Sequence, residues 1–528
     1  MTKIFLRLLL GGITGKILGV VREVLLAAMF GAGRVVAANR IALSATLIPI
    51  NFFTADALTA GFLPLYVQYR QERPTMAMAL YRGVRTLLTV FSVALVVALL
   101  LWRGSWVDVL GPGLDAGTAS IAASMLAIAG LGVPFYIQFN LYTLVGLAND
   151  DVRLINLRAS FQSVGLIAAT LVAYYSGRVS VLAWGFTLPY VLLCLVGAYW
   201  IHRRGYLRAE GGAQHQPTER DVYRATLSMF WRRLRPLLLI PVILQGAIAV
   251  ERAVGSLLGV EVVAATEYSR FIVDSCMALL AAPLGLAGLA GFAKMGAHEV
   301  AGGLRRLIPP MFLVTVPLSL MLCLNATGIV TFFYARGEFD ATAVDISSIM
   351  LLGFALGIWA TVVGYTLVKV LNARGDNFKV AVVMAVSFGA SIAVNYGLYR
   401  SWGAFTLGAA ASVNGLLQFL LAARLLRVLR YSLGLLAALL PGAIVAGGVG
   451  WLLSGTGFLR LAASCAAIGL IWLGYVAAFP SLRRTFLDAF LRKLKRTPEP
   501  KAQPNPDLED TQVIETDPAA TVVMRSDW

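Results

Sequence analysis

Charged side chains interrupt the first long apolar segment of this sequence, and their types suit the binding of an anion. Residues 19–33 read GVVREVLLAAMFGAG, with Arg22 and Glu23 side by side, and Lys16 lies seven positions before Glu23 on the same helix face. A charge at the centre of a lipid bilayer costs at least about 2.5–3.5 kcal/mol, so such a residue usually faces a cavity or a ligand. The alternative is that the Arg22–Glu23 pair neutralises itself and only locks two helices together.

Further basic residues interrupt later apolar segments, where Arg40, Arg252 and Arg270 stand. Guanidinium groups that converge from separate helices suit a diphosphate, which arginine binds through two parallel hydrogen bonds. Acidic side chains would balance these charges in the empty state or carry a coupling proton or sodium ion, and Asp56 and Asp274 are the candidates for that second role. The predicted substrate-binding residues are Lys16, Arg22, Glu23, Arg40, Arg252 and Arg270.

The composition indicates that the elements positioning these charges are transmembrane helices. Hydrophobic residues make up 59% of the chain and charged residues 13%, and the mean hydropathy is +0.77. Long stretches such as residues 86–102 are apolar on every face, which excludes the alternating strands of a membrane barrel. We predict an all-α polytopic membrane protein with about fourteen spans, centred near residues 20, 52, 93, 132, 164, 191, 242, 278, 320, 356, 389, 415, 443 and 470.

The distribution of basic residues predicts the orientation of these spans. With the N-terminus inside the cell, most Lys and Arg residues, Arg153 and Arg158 among them, fall on the cytoplasmic side, and both termini are then cytoplasmic. The net charge of +17 is spread over many short loops and does not predict nucleic-acid binding. The opposite side receives only Arg34, Arg40, Arg103, Arg178, Arg252, Arg336, Arg400 and Arg460.

A short internal similarity suggests how the spans are grouped. Residues 22–40 and 251–270 share an arginine–glutamate pair, a later glycine and a VVAA sequence. If the similarity reflects a repeat, the chain consists of two related lobes around a central site, a common transporter plan. The predicted regions are an N-lobe at 1–205, a cytoplasmic linker at 206–225, a C-lobe at 226–430, two more spans at 431–482, and a basic, then disordered, cytoplasmic tail at 483–528.

The sequence resembles the MurJ/MviN family of lipid flippases, within the multidrug/oligosaccharidyl-lipid/polysaccharide exporter superfamily. The resemblance extends over roughly residues 10–480. It rests on GVVREVLLAAMFGAG, on YARGEFD at 334–340 and, more weakly, on GPGLD at 111–115, on Tyr268-Ser269-Arg270, and on NARGDNFKVAV at 372–382. It implies two six-helix lobes in a V shape around a cationic cavity, plus two C-terminal helices. By position, Lys16, Arg22 and Arg270 match basic cavity positions of the family, and Glu23 would orient Arg22.

The resemblance also implies the function, which is movement of a polyprenyl-diphosphate-linked saccharide to the outer leaflet of the bacterial inner membrane. The second helix departs from the family pattern. An acidic residue after FGAG and an arginine after a proline are missing from VVAANRIALSATLIP and INFFTADAL, and Arg40 is a candidate substitute. We therefore favour an exopolysaccharide or other surface-glycan unit over lipid II. Membrane lipids and a glycan synthase or polymerase are the expected partners, with no cofactor beyond H⁺, Na⁺ or the membrane potential as energy source.

Two other classes of function remain open at this stage. A polytopic glycan ligase would need a catalytic outer loop, and the best candidate offers only Arg336, Glu338 and Asp340, with no histidine or nucleophile nearby. A cation or drug exporter of the same superfamily would need an acidic or aromatic cavity. No catalytic residue and no metal site is predicted, because the cysteines lack metal-ligand spacing and the histidines fall in predicted loops.

Overall fold

The computed structural model describes residues 2–54, 56–72, 74–207, 228–232, 238–292 and 297–487, and these residues are almost entirely helical. Residues 483–487 form a short π-helical turn. The predicted disordered tail from residue 488 onward and most of the predicted linker lie outside the described residues. The helices are α1 (Thr2–Phe30), α2 (Arg34–Thr54), α3 (Asp56–Glu72), α4 (Pro74–Leu101), α5 (Arg103–Leu110), α6 (Ala116–Gly130), α7 (Val133–Leu147), α8 (Arg153–Ser176), α9 (Val181–Arg203), α10 (Leu239–Leu258), α11 (Val260–Phe292), α12 (Ala297–Leu324), α13 (Ala326–Tyr334), α14 (Ala341–Leu356), α15 (Ile358–Ala373), α16 (Asn377–Trp402), α17 (Phe405–Leu425), α18 (Leu429–Leu453), α19 (Phe458–Ala478) and α20 (Pro480–Leu482).

The described helices confirm the prediction of an all-helical polytopic membrane protein. Within the described residues, 10 helices are long and apolar enough to cross a membrane, or up to 12 spans if each of two bent pairs counts as one. Every predicted span centre falls on a helix or at the break of a bent pair, and the two centres not covered by that count lie on α1 and α11, of 29 and 33 residues. Apolar side chains on α18 and α19 are more than half exposed, as expected for surfaces that face lipid, and include Leu440, Ile444, Trp451, Leu452, Leu459 and Leu470.

Two spans are broken into pairs of helices. The axes of α6 and α7 differ by 45°, and those of α14 and α15 by 48°. The second pair packs against α17, and a Cβ atom added at Gly357, at the break, would lie 2.4 Å from the Cα atom of Ser412. Glycines at such contacts let helix backbones approach closely, which is how helices associate when lipid removes the hydrophobic driving force.

The contacts between helices group them along the chain. In the first part, α1 packs on α8, α8 on α9, and α2 on α6. In the second part, α10 packs on α16, and α17 packs on α14, α15 and α16, while α18 and α19 pack on each other and on α12. Helices α2 and α5 contact α10, and α2 also contacts α11. The second helix therefore joins the two groups, and it carries Arg40 to their junction.

Candidate functional site

A single buried carboxylate, that of Glu23, binds two guanidinium groups. Arg22 donates from Nε and Nη2 to Oε1 of Glu23, at 3.0 and 2.6 Å. Arg40, which lies one helix later on α2, donates from Nη2 to Oε2 of the same carboxylate. Glu23 is only 1% exposed, so its charge is compensated by the two arginines and not by water. This cluster carries a net charge of +1.

Two more ion pairs connect α10 and α11. Arg252 donates from Nη2 to Oε1 of Glu267, and Arg270 donates from Nη2 to both carboxylate oxygens of Glu251. The Nε atoms of Arg252 and Arg270, like that of Arg40, are buried without a hydrogen-bond partner in the described part of the chain. These guanidinium groups therefore keep donors that an incoming oxyanion can accept from.

Aromatic rings of α11 place the two arginine clusters next to each other. The guanidinium carbon of Arg22 lies 5.9 Å from the centre of the Phe271 ring, and that of Arg40 lies 5.8 Å from the centre of the Tyr268 ring. Both distances are within the range of cation–π attraction. A Cβ atom at Gly19 would lie 3.2 Å from the Phe271 ring, so this glycine lets α1 approach α11.

A small cleft of about 10 Å³, room for about one water molecule, borders the Glu23 cluster. Its polar lining includes Asn39, whose Oδ1 atom is buried without a partner among the described residues. Its apolar wall comes from α8 and α9, which supply Leu166 and Leu182. The full lining consists of Arg22, Glu23, Leu26, Asn39, Arg40, Leu43, Leu166, Thr170 and Leu182.

The remaining predicted site residues lie apart from these ion pairs. Lys16 is partly exposed on α1, and Asp274 is exposed on α11, one helical turn beyond Arg270. Neither forms an ion pair within the described residues, but Lys16 is among the charged groups that act on Asp274 across the junction. Asp56 begins α3, and its side chain lies outside the described part of the chain.

Sequence reasoning missed two charged residues. Glu267 was not singled out, although its spacing from Arg270 places both on α11 within one turn. Arg158 is predicted only as one of the basic residues of the cytoplasmic side, and the structure places it in the second turn of α8, which begins at Arg153. Its guanidinium lies among the buried tyrosines Tyr136 and Tyr190. For a basic residue only five positions from the start of a span, the sequence does not show whether the side chain points to water or into the protein.

The glycine-containing sequence motifs meet at one end of the helices and form what we call the clasp, made of Ala28, Gly31, Tyr268 and Glu338. The backbone N–H of Glu338 donates to the carbonyl of Ala28 at 2.9 Å, and the hydroxyl of Tyr268 donates to the carbonyl of Gly31 at 2.9 Å. Gly337, which precedes Glu338, has a φ of 59° and also lies against Ala28. A Cβ atom on Gly337 would lie 2.1 Å from the carbonyl oxygen of Ala28. Only glycine fits this position.

Gly113 forms a second contact at this end of the helices. Its N–H donates to Oγ of Ser256 at 3.1 Å, which joins the loop after α5 to α10. A Cβ atom on Gly113 would lie 2.2 Å from the backbone oxygen of Ser256. The two segments can therefore touch here only because residue 113 lacks a side chain.

Replacing Gly113 with Ala is expected to separate α5 from α10 and to favour a conformation that is open at the clasp. In a cysteine-free background with spin labels at the exposed positions Val109 and Leu257, the distance distribution should shift to longer values by several ångströms. Gly104→Ala is the matched control, because a Cβ atom at Gly104 meets no atom within 4 Å. Identical distributions in both variants would contradict a role for this contact in holding the end closed.

Asp115 of GPGLD and Asp340 of YARGEFD act as helix caps. Asp115 of GPGLD accepts from the backbone N–H of Thr118 at 3.1 Å and from its hydroxyl at 2.6 Å, and the hydroxyl bond is the main reason that the pKa of Asp115 lies below its usual value. Asp340 of YARGEFD likewise accepts from the N–H of Ala343 at 2.8 Å at the start of α14. A capping role accounts for both carboxylates without catalysis.

A family model supplies the classification. The model described as lipid II flippase MurJ matches residues 26–474. The chain belongs to the MurJ family. This membership confirms the resemblance found in the sequence and makes the chain a transporter of the flippase class and not an enzyme, so the glycan-ligase alternative is wrong.

Solved structures agree with this MurJ-family fold. A lipid II flippase MurJ in an inward closed conformation has a TM-score of 0.76 and 18% identity, covering 92% of this chain and 100% of that one. An inward-facing multidrug resistance MATE family transporter has a TM-score of 0.62 and 14% identity, covering 79% of this chain and 96% of that one. A MOP superfamily transporter from Pyrococcus furiosus has a TM-score of 0.57 and 14% identity, covering 83% of this chain and 96% of that one.

Proposed function

We propose that this MurJ-family protein moves a polyprenyl-diphosphate-linked saccharide from the inner to the outer leaflet of the bacterial cytoplasmic membrane. Family membership supports the class of activity, and the arginine–carboxylate clusters at the junction of α1, α2, α10 and α11 support an anionic headgroup as the cargo. Both termini lie in the cytoplasm in this proposal, so the clasp is on the outer side.

The observation that carries the proposal is the pairing of the four guanidinium groups at this junction with carboxylates. In the empty protein, Glu23, Glu251 and Glu267 bind the four arginines Arg22, Arg40, Arg252 and Arg270, which leaves a net charge of +1. An arriving diphosphate would accept hydrogen bonds from the same guanidinium groups, including the Nε atoms of Arg40, Arg252 and Arg270, which have no partner among the described residues. Each guanidinium group is therefore bound to a carboxylate before the diphosphate arrives. This avoids the free-energy cost of unpaired charges in a site that holds no cargo.

Alternating access follows from the proposed division into an N-lobe at 1–205 and a C-lobe at 226–430. The two groups of helix contacts support this division, and the clasp and the Gly113–Ser256 contact would close the outer end while the inner end receives cargo. Release to the outer leaflet then requires these contacts to break. Asp56 and Asp274 are the carboxylates through which a proton or a sodium ion would bias this step, and the membrane potential is the other candidate energy source.

Two saccharides are candidates for the cargo. Family membership favours lipid II. The second helix favours an exopolysaccharide or other surface-glycan unit, because its cation Arg40 is bound to Glu23 and the stretch from Val35 to Pro49 has no acidic residue of its own. A cation or drug exporter is less well supported, since the charged residues at the junction include one more cation than anions: Lys16, Arg22, Arg40, Arg252 and Arg270 against Glu23, Glu251, Glu267 and Asp274.

Depletion of this protein in its host is expected to strand its lipid-linked substrate in the inner leaflet. Intermediates on each leaflet would be quantified by mass spectrometry after labelling of the outer surface. Accumulation of lipid II inside together with cell lysis identifies lipid II, whereas continued growth with loss of a surface glycan and accumulation of its lipid-linked unit identifies that unit. Unchanged leaflet distributions of every polyprenyl-linked saccharide would contradict the proposed function.

A further inference from the structure

Arg158 on α8 forms a separate polar cluster. Its Nε donates to the hydroxyl of Tyr190 at 3.2 Å, Nη1 donates to Oδ1 of Asn140 at 3.2 Å, and Nη2 donates to the hydroxyl of Tyr136 at 2.5 Å. The guanidinium carbon also lies 4.9 Å from the centre of the Tyr136 ring. Three helices, α7, α8 and α9, therefore contribute to holding one cation.

Every hydrogen-bond partner of Arg158 in the described part of the chain is neutral. This distinguishes it from Arg22, Arg40, Arg252 and Arg270, each of which binds a carboxylate. The tyrosine hydroxyls that accept from Arg158 direct their own protons to amide oxygens: Tyr190 donates to Gln162 at 3.4 Å and Tyr136 to Asn51 at 3.5 Å. The full positive charge of Arg158 therefore remains uncompensated inside a membrane-spanning helix, where an unpaired charge is costly.

Arg158 keeps the capacity to bind an anion. A guanidinium has five N–H groups, and the three bonds described use three of them. The side chain is partly exposed, whereas Tyr136 and Tyr190, which fix its plane, are 4% and 1% exposed. A fixed planar guanidinium with free donors, surrounded by tyrosine rings and side-chain amides, suits an acidic saccharide, whose carboxylate accepts two parallel hydrogen bonds.

Arg158 lies at a different depth along the helices from the arginines of the proposed diphosphate site. A Cβ atom at Gly15 of α1 would lie 2.6 Å from Cβ of Ala159, so Arg158 is level with Lys16. Arg22 is six residues further along α1, a rise of about 9 Å. A cargo whose diphosphate lies at Arg22 would therefore reach the depth of Arg158 with its saccharide and not with its diphosphate.

We propose that Arg158 binds a carboxylate carried by the saccharide part of the cargo and so contributes to the choice of substrate. This inference rests on the proposed function. The carboxylate has two possible sources, an acidic sugar or a peptide attached to the sugar. The alternative is that Arg158 has only a structural role and holds α7 against α8 and α9.

The test measures binding of three short-chain polyprenyl-diphosphate disaccharides to the purified full chain in detergent, by native mass spectrometry. One disaccharide carries a uronic acid, the second carries a peptide with a free carboxylate, and the third is the carboxyl-reduced form, in which the saccharide is neutral and only the diphosphate is charged. Wild-type protein is expected to bind one of the acidic compounds about tenfold or more tightly than the neutral one. Arg158→Gln should remove that preference and leave binding of the neutral compound unchanged, and Arg158→Lys should retain part of it.

The outcomes separate this inference from the proposed function. Which acidic compound wild-type protein prefers identifies the source of the carboxylate. Equal binding of all three by wild-type protein, or an equal loss for all three in Arg158→Gln as a structural brace would give, overturns the inference and leaves the proposed function standing. Failure of wild-type protein to bind any of the three contradicts the proposed function itself.

Discussion

Glu23→Gln is expected to destabilise the protein by about 3–5 kcal/mol, because it leaves two buried guanidinium groups facing a neutral amide. Arg22 and Arg40 both depend on this carboxylate, and their side chains are only 18% and 11% exposed. Thermal unfolding of the purified protein in detergent, together with the amount of folded protein in the membrane, measures the effect. Transport in the proposed leaflet assay should fall with it.

Two further variants test the cause of that loss. Glu338→Gln removes a carboxylate that is exposed, and it should change the unfolding temperature little. Adding Arg40→Gln to Glu23→Gln removes one of the two stranded cations and should recover part of the lost stability, which a double-mutant cycle measures. If the double variant is as unstable as the sum of the single variants, the two residues do not stabilise each other as the structure implies.

Arg270→Ala is expected to reduce transport about 30-fold or more, since truncating one partner of a buried, hydrogen-bonded charge pair costs 2–5 kcal/mol. The change removes a proposed diphosphate donor and leaves Glu251, 12% exposed, without its partner. Transport would be followed as the fraction of labelled lipid-linked saccharide reaching the outer leaflet, normalised to the amount of folded protein.

Arg400→Ala is the matched control for this prediction. Arg400 is an exposed arginine near the end of α16 that donates from Nε to the hydroxyl of Tyr399, and its loss should leave transport unchanged. Arg270→Lys should be intermediate, because lysine keeps the charge but not the two-pronged geometry. Full activity of Arg270→Ala at normal protein levels would remove Arg270 from the proposed site.

Local sequence information was sufficient for the helices because lipid imposes a simple requirement. Every backbone polar group must be bonded within its own segment, so long apolar stretches become helices whatever their neighbours are. For this reason the predicted span centres fall on helices, except the centre near residue 132, which lies at the break between α6 and α7. The breaks at residues 131–132 and 357 were not foreseen, because a bend depends on which helix packs against the break, as α17 does at Gly357.

The sequence by itself determined the membrane class, the helical spans, the resemblance to the family, and the presence of costly charges such as Arg22, Glu23 and Arg270. Only the tertiary structure decided the partners that come from other helices: Arg40 binds Glu23 across 17 residues, Glu267 pairs with Arg252, and Arg158 lies among tyrosines. The physical reason is that an apolar stretch of sequence shows that a charge within it is costly to bury. The side chain that pairs with this charge usually comes from another helix. Which helix faces which is decided by packing, so the sequence shows an adjacent partner, such as Glu23 for Arg22, but not a partner on another helix.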